Sequence, residues 1–119
     1  MIKILNISNH NLTDKQVADL KDIYGEDIKI VKLQSLKEDW GQLTPFNYRT
    51  ICNSIISFMK QEEIEIAHLA GYAPAVVYMC NHKGFQFIYS HSIRDSIEVE
   101  NNGVVEKKQR FKHAGWFKY

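Results

Sequence analysis

The sequence predicts one small α/β domain in which helices cover both faces of a short parallel sheet and a β-hairpin follows. Strand-like and helix-like segments alternate along residues 1–94, a pattern typical of βαβ units. The opening strand carries a near-continuous apolar run, as expected for a strand covered on both faces. Asn102 and Gly103 follow a segment in which Ile97 and Val99 alternate with acidic residues, and they predict a type I′ hairpin turn. We therefore expect a Rossmann-like, three-layer domain over residues 1–119, with a βα core at 1–94 and a hairpin and tail at 95–119.

The first helix has the most clearly marked ends. Thr13 is predicted as its N-cap, and Gln16 three residues later completes a capping box. Gly25 supplies the C-terminal stop. Apolar patterns before and after this helix predict strands at residues 2–7 and 27–33.

The middle of the chain is interpreted as an irregular connection followed by a long helix. Residues 34–44 show no clear period and predict no regular element. Pro45 is placed in the first turn of the long helix, with Thr44 as its N-cap. A third strand at residues 64–69 then leads to a short buried helix that begins at Pro74.

The predicted strand order places a ligand at one edge of the sheet. A first strand in the middle gives the order 2-1-3-4, and ligands of such sheets bind outside the carboxyl ends of the strands, where the order reverses. The fourth strand, at residues 85–89, is expected to stop at Ser90. The edge then collects three polar or glycine-containing loops, at residues 8–11, 70–73 and 90–94.

Composition restricts the partners and the chemistry. A formal charge of +1 over 119 residues gives no reason to expect a long nucleic acid held by bulk electrostatics. The chain opens directly into a strand pattern and lacks an apolar run of about 20 residues, so we expect a cytoplasmic protein without a membrane segment. Cys52 and Cys80 have no CxxC partner and are interpreted as reduced core residues. Dinucleotide and phosphate-loop fingerprints, metal-ligand spacing and a nucleophile elbow are missing, so we expect no metal and no other cofactor.

The candidate site residues are the donors on the three loops. They are Ser8, Asn9 and His10 on the first loop, Gly71 and Tyr72 on the second, and Ser90, His91, Ser92 and Arg94 on the third. Arginine and serine donors with a histidine near neutrality suit a phosphodiester ligand. Each residue also has a structural alternative, because serine and asparagine often form turns and lone histidines often lie on the surface. Arg94 would then pair with Asp95 or Glu98. His68, inside the third strand, is expected to be a buried, hydrogen-bonded core residue.

Three segments of the chain share a pattern with a known family. The opening ILNISNHNLTDKQVADL runs from an apolar strand through a Ser-x-His variant to Leu-Thr-x-x-Gln and a helix. The middle HLAGYAPAVVYMCNHKGFQFIYS is a glycine-containing strand–helix–strand unit, and the tail YSHSIRDSIEVENNGVVEKKQRFKHAGWFKY holds a Glu-containing hairpin, a Phe-x-His segment and a terminal Tyr. These segments resemble small CRISPR-associated proteins of type III systems. The resemblance implies a CARF-like fold, a homodimer and binding of a cyclic oligoadenylate. It matches Ser8, His10, Gly71, Ser90, Ser92, Arg94 and His113.

The activity that the resemblance implies is that of a ring nuclease, which cleaves the cyclic messenger and ends an antiviral signal. Catalysis would then fall to His10, His91, Arg94 and Ser90, and ligand binding to Ser8, Asn9, Gly71, Tyr72, Ser92 and His113. The attacking group would be a ribose 2′-hydroxyl of the ligand, so the protein acts by orientation and acid–base chemistry without a metal. Two alternatives stay open: a sensor or sponge that binds the messenger without cleaving it, and an unrelated α/β interaction protein.

Overall fold

The computed structural model describes residues 1–8 and 10–119, and within these residues five strands form one sheet. The strands are β1 (Ile2–Asn6), β2 (Ile28–Val31), β3 (Ile66–His68), β4 (Gln86–Asn101) and β5 (Val104–Lys118). Their order is β2-β1-β3-β4-β5, which confirms the predicted order of the first four strands. Neighbours among β1 to β4 are parallel, and β5 pairs antiparallel with β4. The fold is therefore a mixed α/β fold with a mostly parallel sheet and a C-terminal hairpin.

Helices cover both faces of this sheet. They are α1 (Asp14–Tyr24), α2 (Gln34–Trp40), α3 (Tyr48–Gln61) and α4 (Ala73–Cys80). On one face, Leu20 of α1 packs in a buried cluster with Ile4 and Ile88. On the other face, α2, α3 and α4 share a larger core with Leu5 and Phe87. Alternate residues of each buried strand thus face different helices, which explains the continuous apolar run of β1.

The predicted ends of α1 are confirmed. The Thr13 side chain accepts a hydrogen bond from the Gln16 backbone N–H at 3.2 Å, and the Gln16 side chain accepts one from the Thr13 backbone N–H at 2.8 Å. Gly25 follows the helix with φ of 101°, and its N–H donates to the Lys21 carbonyl. Both ends of α1 therefore have hydrogen-bond partners for backbone groups that a helix leaves unpaired.

The predicted irregular connection at residues 34–44 is wrong in its first half, which forms α2. This helix is too short to display a period, but Leu36 and Trp40 are buried on one side of it. The Trp40 indole N–H donates to the Ala70 carbonyl at 2.7 Å and joins α2 to the loop after β3. This contact joins residues 30 positions apart in the chain, so the local sequence pattern does not reveal it, and it stabilises the helix.

The predicted start of the long helix at Pro45, with Thr44 as N-cap, is also wrong. The helix α3 begins at Tyr48. Thr44 opens a turn in which its N–H donates to the Asn47 side-chain oxygen at 2.7 Å and its carbonyl accepts from the Tyr48 N–H. Pro45 lies inside that turn, where its fixed φ is equally well accommodated.

The predicted end of the fourth strand at Ser90 is wrong as well, because β4 continues to Asn101. Pairing with β5 along this length gives hydrogen-bond partners to backbone groups that the sequence pattern assigns to a loop. The predicted hairpin turn is confirmed, since Asn102 and Gly103 have φ of 53° and 80°. The boundary expected between residues 94 and 95 falls inside β4.

The outer part of the hairpin extends away from the body of the domain. We call residues 92–112 the ribbon. All of its residues are exposed or half-buried, and neither of its faces is covered by a helix within the described residues. The molecule measures 57 × 38 × 23 Å and has a Cα radius of gyration of 16.8 Å. A compact chain of this length has a radius of gyration of about 13.5 Å, so the ribbon accounts for a clearly elongated shape.

The two cysteines are free and occupy different environments. Cys52 lies in the core, where burial raises the pKa of its thiol to about 11. Cys80 is exposed at the end of α4, so the prediction that both are core residues is wrong for this one. None of the helices in residues 1–8 and 10–119 has the length and apolar character needed to span a bilayer.

Candidate functional site

A buried polar cluster lies where β1 and β3 end. Asn6 is fully buried, and its side-chain oxygen accepts hydrogen bonds from the Ser8 hydroxyl at 2.9 Å and from His68 Nδ1 at 3.0 Å. The Asn6 amide nitrogen donates to the His10 carbonyl at 2.9 Å. Asn6 and His68 are direct neighbours in the parallel pairing of β1 with β3, which brings the two side chains together on the face of α1. We call Asn6, Ser8 and His68 the Asn6 cluster.

His68 is a neutral base inside this cluster. Its side chain is 5% exposed, and burial together with the positive charge that His113 carries when protonated lowers the pKa of His68 to about 4. Because the Asn6 oxygen is an acceptor, Nδ1 of His68 carries the proton and Nε2 is left with a lone pair. The expectation of a buried, hydrogen-bonded core histidine is confirmed.

A second line of polar contacts lies beside the Asn6 cluster and joins Ser90, His113 and Asp19. The Ser90 hydroxyl is hydrogen-bonded to Nδ1 of His113 at close range. Nε2 of His113 lies 2.9 Å from the carboxylate of Asp19, although the two are not aligned for a directed hydrogen bond. The contact with Asp19 is therefore an electrostatic one. We call Ser90 and His113 the Ser90–His113 pair.

The helix α1 supplies the other partners of this pair. The Gln16 side-chain amide donates to the Ser90 hydroxyl at 3.2 Å, and Asp19 lies one turn further along the same face. The Trp116 indole N–H donates to the Gln16 carbonyl at 2.9 Å and fixes α1 against β5. The Trp116 ring also contacts both histidine rings, with centroids 4.9 Å from His68 and 5.4 Å from His113. The Asn6 cluster and the Ser90–His113 pair thus form one continuous site.

A β-bulge brings His113 to this site. His113 and Trp116 are three residues apart, so a regular strand would point them to opposite faces of the sheet. Between the pairs His91–Gly115 and Ser92–His113, β5 contains one residue more than β4. The extra residue returns His113 to the face of Trp116 and Ser90.

The arrangement is suited to proton transfer at a half-buried hydroxyl. Negative charge of Asp19 near Nε2 of His113 favours a proton on that nitrogen, which leaves Nδ1 to accept a proton from the Ser90 hydroxyl. A group in contact with Ser90 would then be able to lose a proton to His113 through the serine. The Gln16 amide beside Ser90 is a hydrogen-bond donor for negative charge that develops there.

Three of the residues predicted from the sequence belong to this site: Ser8, Ser90 and His113. His10 contributes its backbone carbonyl, and its side chain is exposed. Asn9 lies outside the described residues.

Ser92 borders the site as the cross-strand partner of His113, and the other predicted residues lie apart from it. His91 is exposed on the opposite face of the sheet, against the Phe117 ring. Ser92 and Arg94 lie on the ribbon, and the Arg94 guanidinium covers the Phe111 ring at 5.2 Å rather than pairing with an acid. Gly71 and Tyr72 line a separate cavity of about 200 Å³ next to Trp40 and Gly41.

Four site residues were absent from the sequence-based site: Asn6, Gln16, Asp19 and His68. For Asn6 a signal exists, because it is a polar residue in the alternation of Ile2 and Ile4 on a covered strand. Gln16 and Asp19 are spaced to share a helix face, but nothing in the sequence says that this face meets Ser90. Metal-ligand geometry from three or more His, Cys, Asp or Glu side chains is not found in the described part of the chain.

Comparison with known proteins identifies the family. The model of the Uncharacterized protein MJ1673 family matches residues 2–117, almost the whole chain. The chain belongs to this family. A search of curated proteins and a search of solved structures find no match.

Proposed function

We propose that this protein is a metal-independent ring nuclease that binds and cleaves a cyclic oligoadenylate, with cyclic tetra-adenylate as the expected substrate. The observation that carries the proposal is the Ser90–His113 pair at the carboxyl edge of the sheet, with Asp19 beside it. Acid–base groups at this edge are where a ligand of a doubly wound sheet is expected. The strand order and the helices on both faces support a Rossmann-like fold of the CARF type, in agreement with the resemblance in the sequence.

The proposed reaction needs no protein nucleophile. A ribose 2′-hydroxyl oxygen attacks the neighbouring phosphorus, and the bond from that phosphorus to the 5′-oxygen breaks. The hydroxyl proton passes to Ser90 as the Ser90 proton passes to Nδ1 of His113, and the leaving 5′-oxygen takes a proton from water. The hydroxide formed from that water is neutralised by the proton that His113 then gives up. The product is a linear oligoadenylate with a 2′,3′-cyclic phosphate. The protein contributes orientation of the ring and proton transfer.

The proposal assigns roles to the ribbon and to Arg94 if two subunits associate. A homodimer suits a ring-shaped ligand, because each subunit repeats the same contacts around a two-fold axis. The ribbon exposes Ile93, Val105 and Phe111, apolar side chains that a dimer partner would cover. Arg94, on the same ribbon, then serves as a cation for a phosphate. The substrate is an intracellular messenger, so the proposal places the protein in the cytoplasm.

The direct test is incubation with cyclic tetra-adenylate and cyclic hexa-adenylate in excess EDTA, with products separated by chromatography and identified by mass spectrometry. We expect linear products. His113→Asn and Ser90→Ala should each lower kcat by about 10²–10⁴-fold, the range of general acid–base catalysis. Ser57→Ala is the matched control, because Ser57 is an exposed serine of α3 and belongs to neither the site nor the ribbon. Equal rates for Ser90→Ala and the control would remove the pair from catalysis.

Arg94→Ala tests the proposed phosphate contact separately. Hydrogen bonds to charged groups contribute about 1.5–3 kcal/mol, so the variant should bind or turn over the ligand about tenfold or more less well. Wild-type kinetics in this variant would place Arg94 outside the site.

A second candidate function, binding without cleavage, is favoured by one observation. Both nitrogens of His113 lie against groups of the protein itself, as in a structural histidine. A sensor or sponge predicts that the ligand stays intact and raises Tm by mass action. If the ligand is not cleaved and does not change Tm, the resemblance to the ring-nuclease family is overturned. The remaining alternative is then an unrelated interaction protein.

A further inference from the structure

The Ser90–His113 pair and Asp19 form a row of three groups whose order has its own chemistry. The Ser90 hydroxyl is hydrogen-bonded to one imidazole nitrogen of His113, and the Asp19 carboxylate lies 2.9 Å from the other nitrogen. A hydroxyl, a base and a carboxylate in this order are the parts of an activated serine nucleophile. Such a group is defined by geometry and occurs on unrelated folds, so the parallel sheet does not argue against it.

His113 has the position of the base in this row. Its side chain is 5% exposed, so water has little access to the imidazole. Either nitrogen of a neutral imidazole accepts a proton when the other nitrogen carries one, and here Nδ1 faces Ser90 while Nε2 faces Asp19. The negative charge of Asp19 stabilises the imidazolium that forms when Ser90 loses its proton. This stabilisation is electrostatic and needs no aligned hydrogen bond.

The surroundings of Ser90 favour negative charge on its oxygen. Ser90 is half-buried, so part of its surface meets solvent. The Gln16 side-chain amide donates to the Ser90 oxygen at 3.2 Å and is an uncharged donor beside the attacking atom. Because Gln16 belongs to the first turn of α1, Ser90 also lies near the positive end of this helix. Donors in these places stabilise an oxyanion that develops next to Ser90.

We infer that Ser90 is a nucleophile for acyl transfer and that this site hydrolyses short carboxylic esters. A carboxylic ester is uncharged, so the Asp19 carboxylate does not repel it. Its single carbonyl oxygen also needs only a small number of donors, of which the Gln16 amide is one. The inference goes beyond the proposed ring cleavage, in which Ser90 passes on a proton and forms no covalent bond.

The inferred reaction consumes the ester and one water molecule. The Ser90 oxygen forms a bond to the carbonyl carbon of the ester, and the Ser90 proton moves to Nδ1 of His113. The bond from that carbon to the alcohol oxygen then breaks, and the alcohol leaves with the proton from Nδ1. Water attacks the acyl-serine and gives a proton to Nδ1, the bond to the Ser90 oxygen breaks, and Ser90 takes this proton back. The products are a carboxylic acid and an alcohol.

The test is to treat the folded wild-type protein with a fluorophosphonate, a reagent that labels activated serines, and to locate the label by peptide mass spectrometry. We expect a covalent label on Ser90, formed with loss of fluoride. We also expect faster release of p-nitrophenol from p-nitrophenyl acetate by the wild type than by Ser90→Ala. An unlabelled protein, or a label confined to other serines, would overturn the inference. This result is read on the wild type and does not depend on the folding of any variant.

Three variants assign the roles around Ser90. His113→Asn keeps a hydrogen-bonding side chain and removes the base, so labelling should slow by about 10²–10⁴-fold. Gln16→Glu keeps an acceptor for the capping box and removes the donor, so labelling should slow by about 10²–10³-fold. Ser57→Ala, at an exposed position of α3, is the control and should be labelled at the wild-type rate. Labelling of His113→Asn at the wild-type rate would contradict the inferred base.

The outcomes for acyl transfer and for ring cleavage are separable, because neither reagent contains an oligoadenylate. A label on Ser90 in a protein that leaves cyclic tetra-adenylate intact would support acyl transfer and count against the proposed ring cleavage. Cleavage of cyclic tetra-adenylate by a protein that is not labelled would overturn acyl transfer and leave the ring nuclease in place.

Discussion

The individual residues that define the site are polar side chains buried at the ends of strands. A buried asparagine or histidine is tolerated only where its donors and acceptors are matched, and the Asn6 oxygen is matched by both Ser8 and His68. Such a cluster fixes the geometry of its members, because moving one of them leaves another unpaired. The cost of this arrangement is sensitivity to acid, since His68 is buried in its neutral form.

The pH dependence of stability tests this burial. The pKa of His68 is lowered to about 4 from 6.5, so the unfolded chain takes up this proton first as the pH falls. The contribution of His68 is fully present above about pH 6.5 and declines toward pH 4, with a total loss of about 3 kcal/mol. His68→Phe keeps a ring against Trp116 and leaves the Asn6 oxygen paired with Ser8. We expect urea unfolding of this variant to depend less on pH over that interval.

The control for this experiment is His91→Gln, which removes an exposed histidine from the same chain. It should show the pH dependence of the wild type. A steep decline in stability that survives in His68→Phe would assign the effect to other groups.

At the scale of elements, Gln16 both caps the start of α1 and connects this helix to the site. Gln16 completes the capping box through its side-chain oxygen and donates to Ser90 through its side-chain nitrogen. The start of the helix is thereby tied to β4, and the C-terminal strand is tied to the helix through Trp116. The position of the site relative to α1 therefore depends on the helix cap.

Thr13→Ala measures the cap on its own. Loss of a threonine N-cap costs about 1 kcal/mol, which should appear as a lower midpoint of urea unfolding. Thr50→Ala is the same change at an exposed position inside α3, where alanine has the higher helix propensity, and it should be neutral or slightly stabilising. Equal midpoints for the two variants would show that the cap does not contribute to stability.

The elements also show which features of the fold can be predicted from the sequence. The ends of α1 and the turn at Asn102 and Gly103 were predictable, because single residue types determine them locally. The helix α2 and the continuation of β4 were not, because both depend on partners distant in the chain, Ala70 in one case and β5 in the other. The same limit applies to the site. Ser8 follows from the end of β1, and Ser90 was predicted from a strand end that the structure does not have, because β4 continues past it. Asp19 reaches His113 only through the packing of α1 and through a bulge that no alternation of residues reveals.

At the scale of the whole molecule, the ribbon is a long two-stranded extension without a core beneath it. Isolated two-stranded hairpins are marginally stable in water, and Phe111 is 67% exposed on this one. The body, by contrast, has two buried clusters around the parallel sheet. The free energy of unfolding should therefore come almost entirely from the body.

Shortening the ribbon tests this division. Deleting residues 96–101 and 104–109 removes equal lengths of both strands, keeps Asn102 and Gly103 as the turn and closes it with the Asp95–Arg110 ion pair. We expect the free energy of unfolding to change by no more than about 1 kcal/mol, because the deleted residues cover no core. The deletion removes Val105 and keeps Ile93 and Phe111, so a shift from dimer to monomer in sedimentation would assign the proposed dimer contact to the outer part of the ribbon. Failure of the shortened chain to fold would show that the ribbon stabilises the body.

The ribbon has a further consequence for how the molecule fluctuates. Amide hydrogens beyond the β-bulge should exchange with solvent through local opening of the hairpin, and those of β1 and β3 only through opening of the whole domain. His113 stands at the border of these two cooperative units, and its hydrogen-bond partner Ser90 lies on the body. The hydroxyl and the imidazole are thus held together by parts of the chain that open independently, and the lifetime of their contact is set by the less stable part.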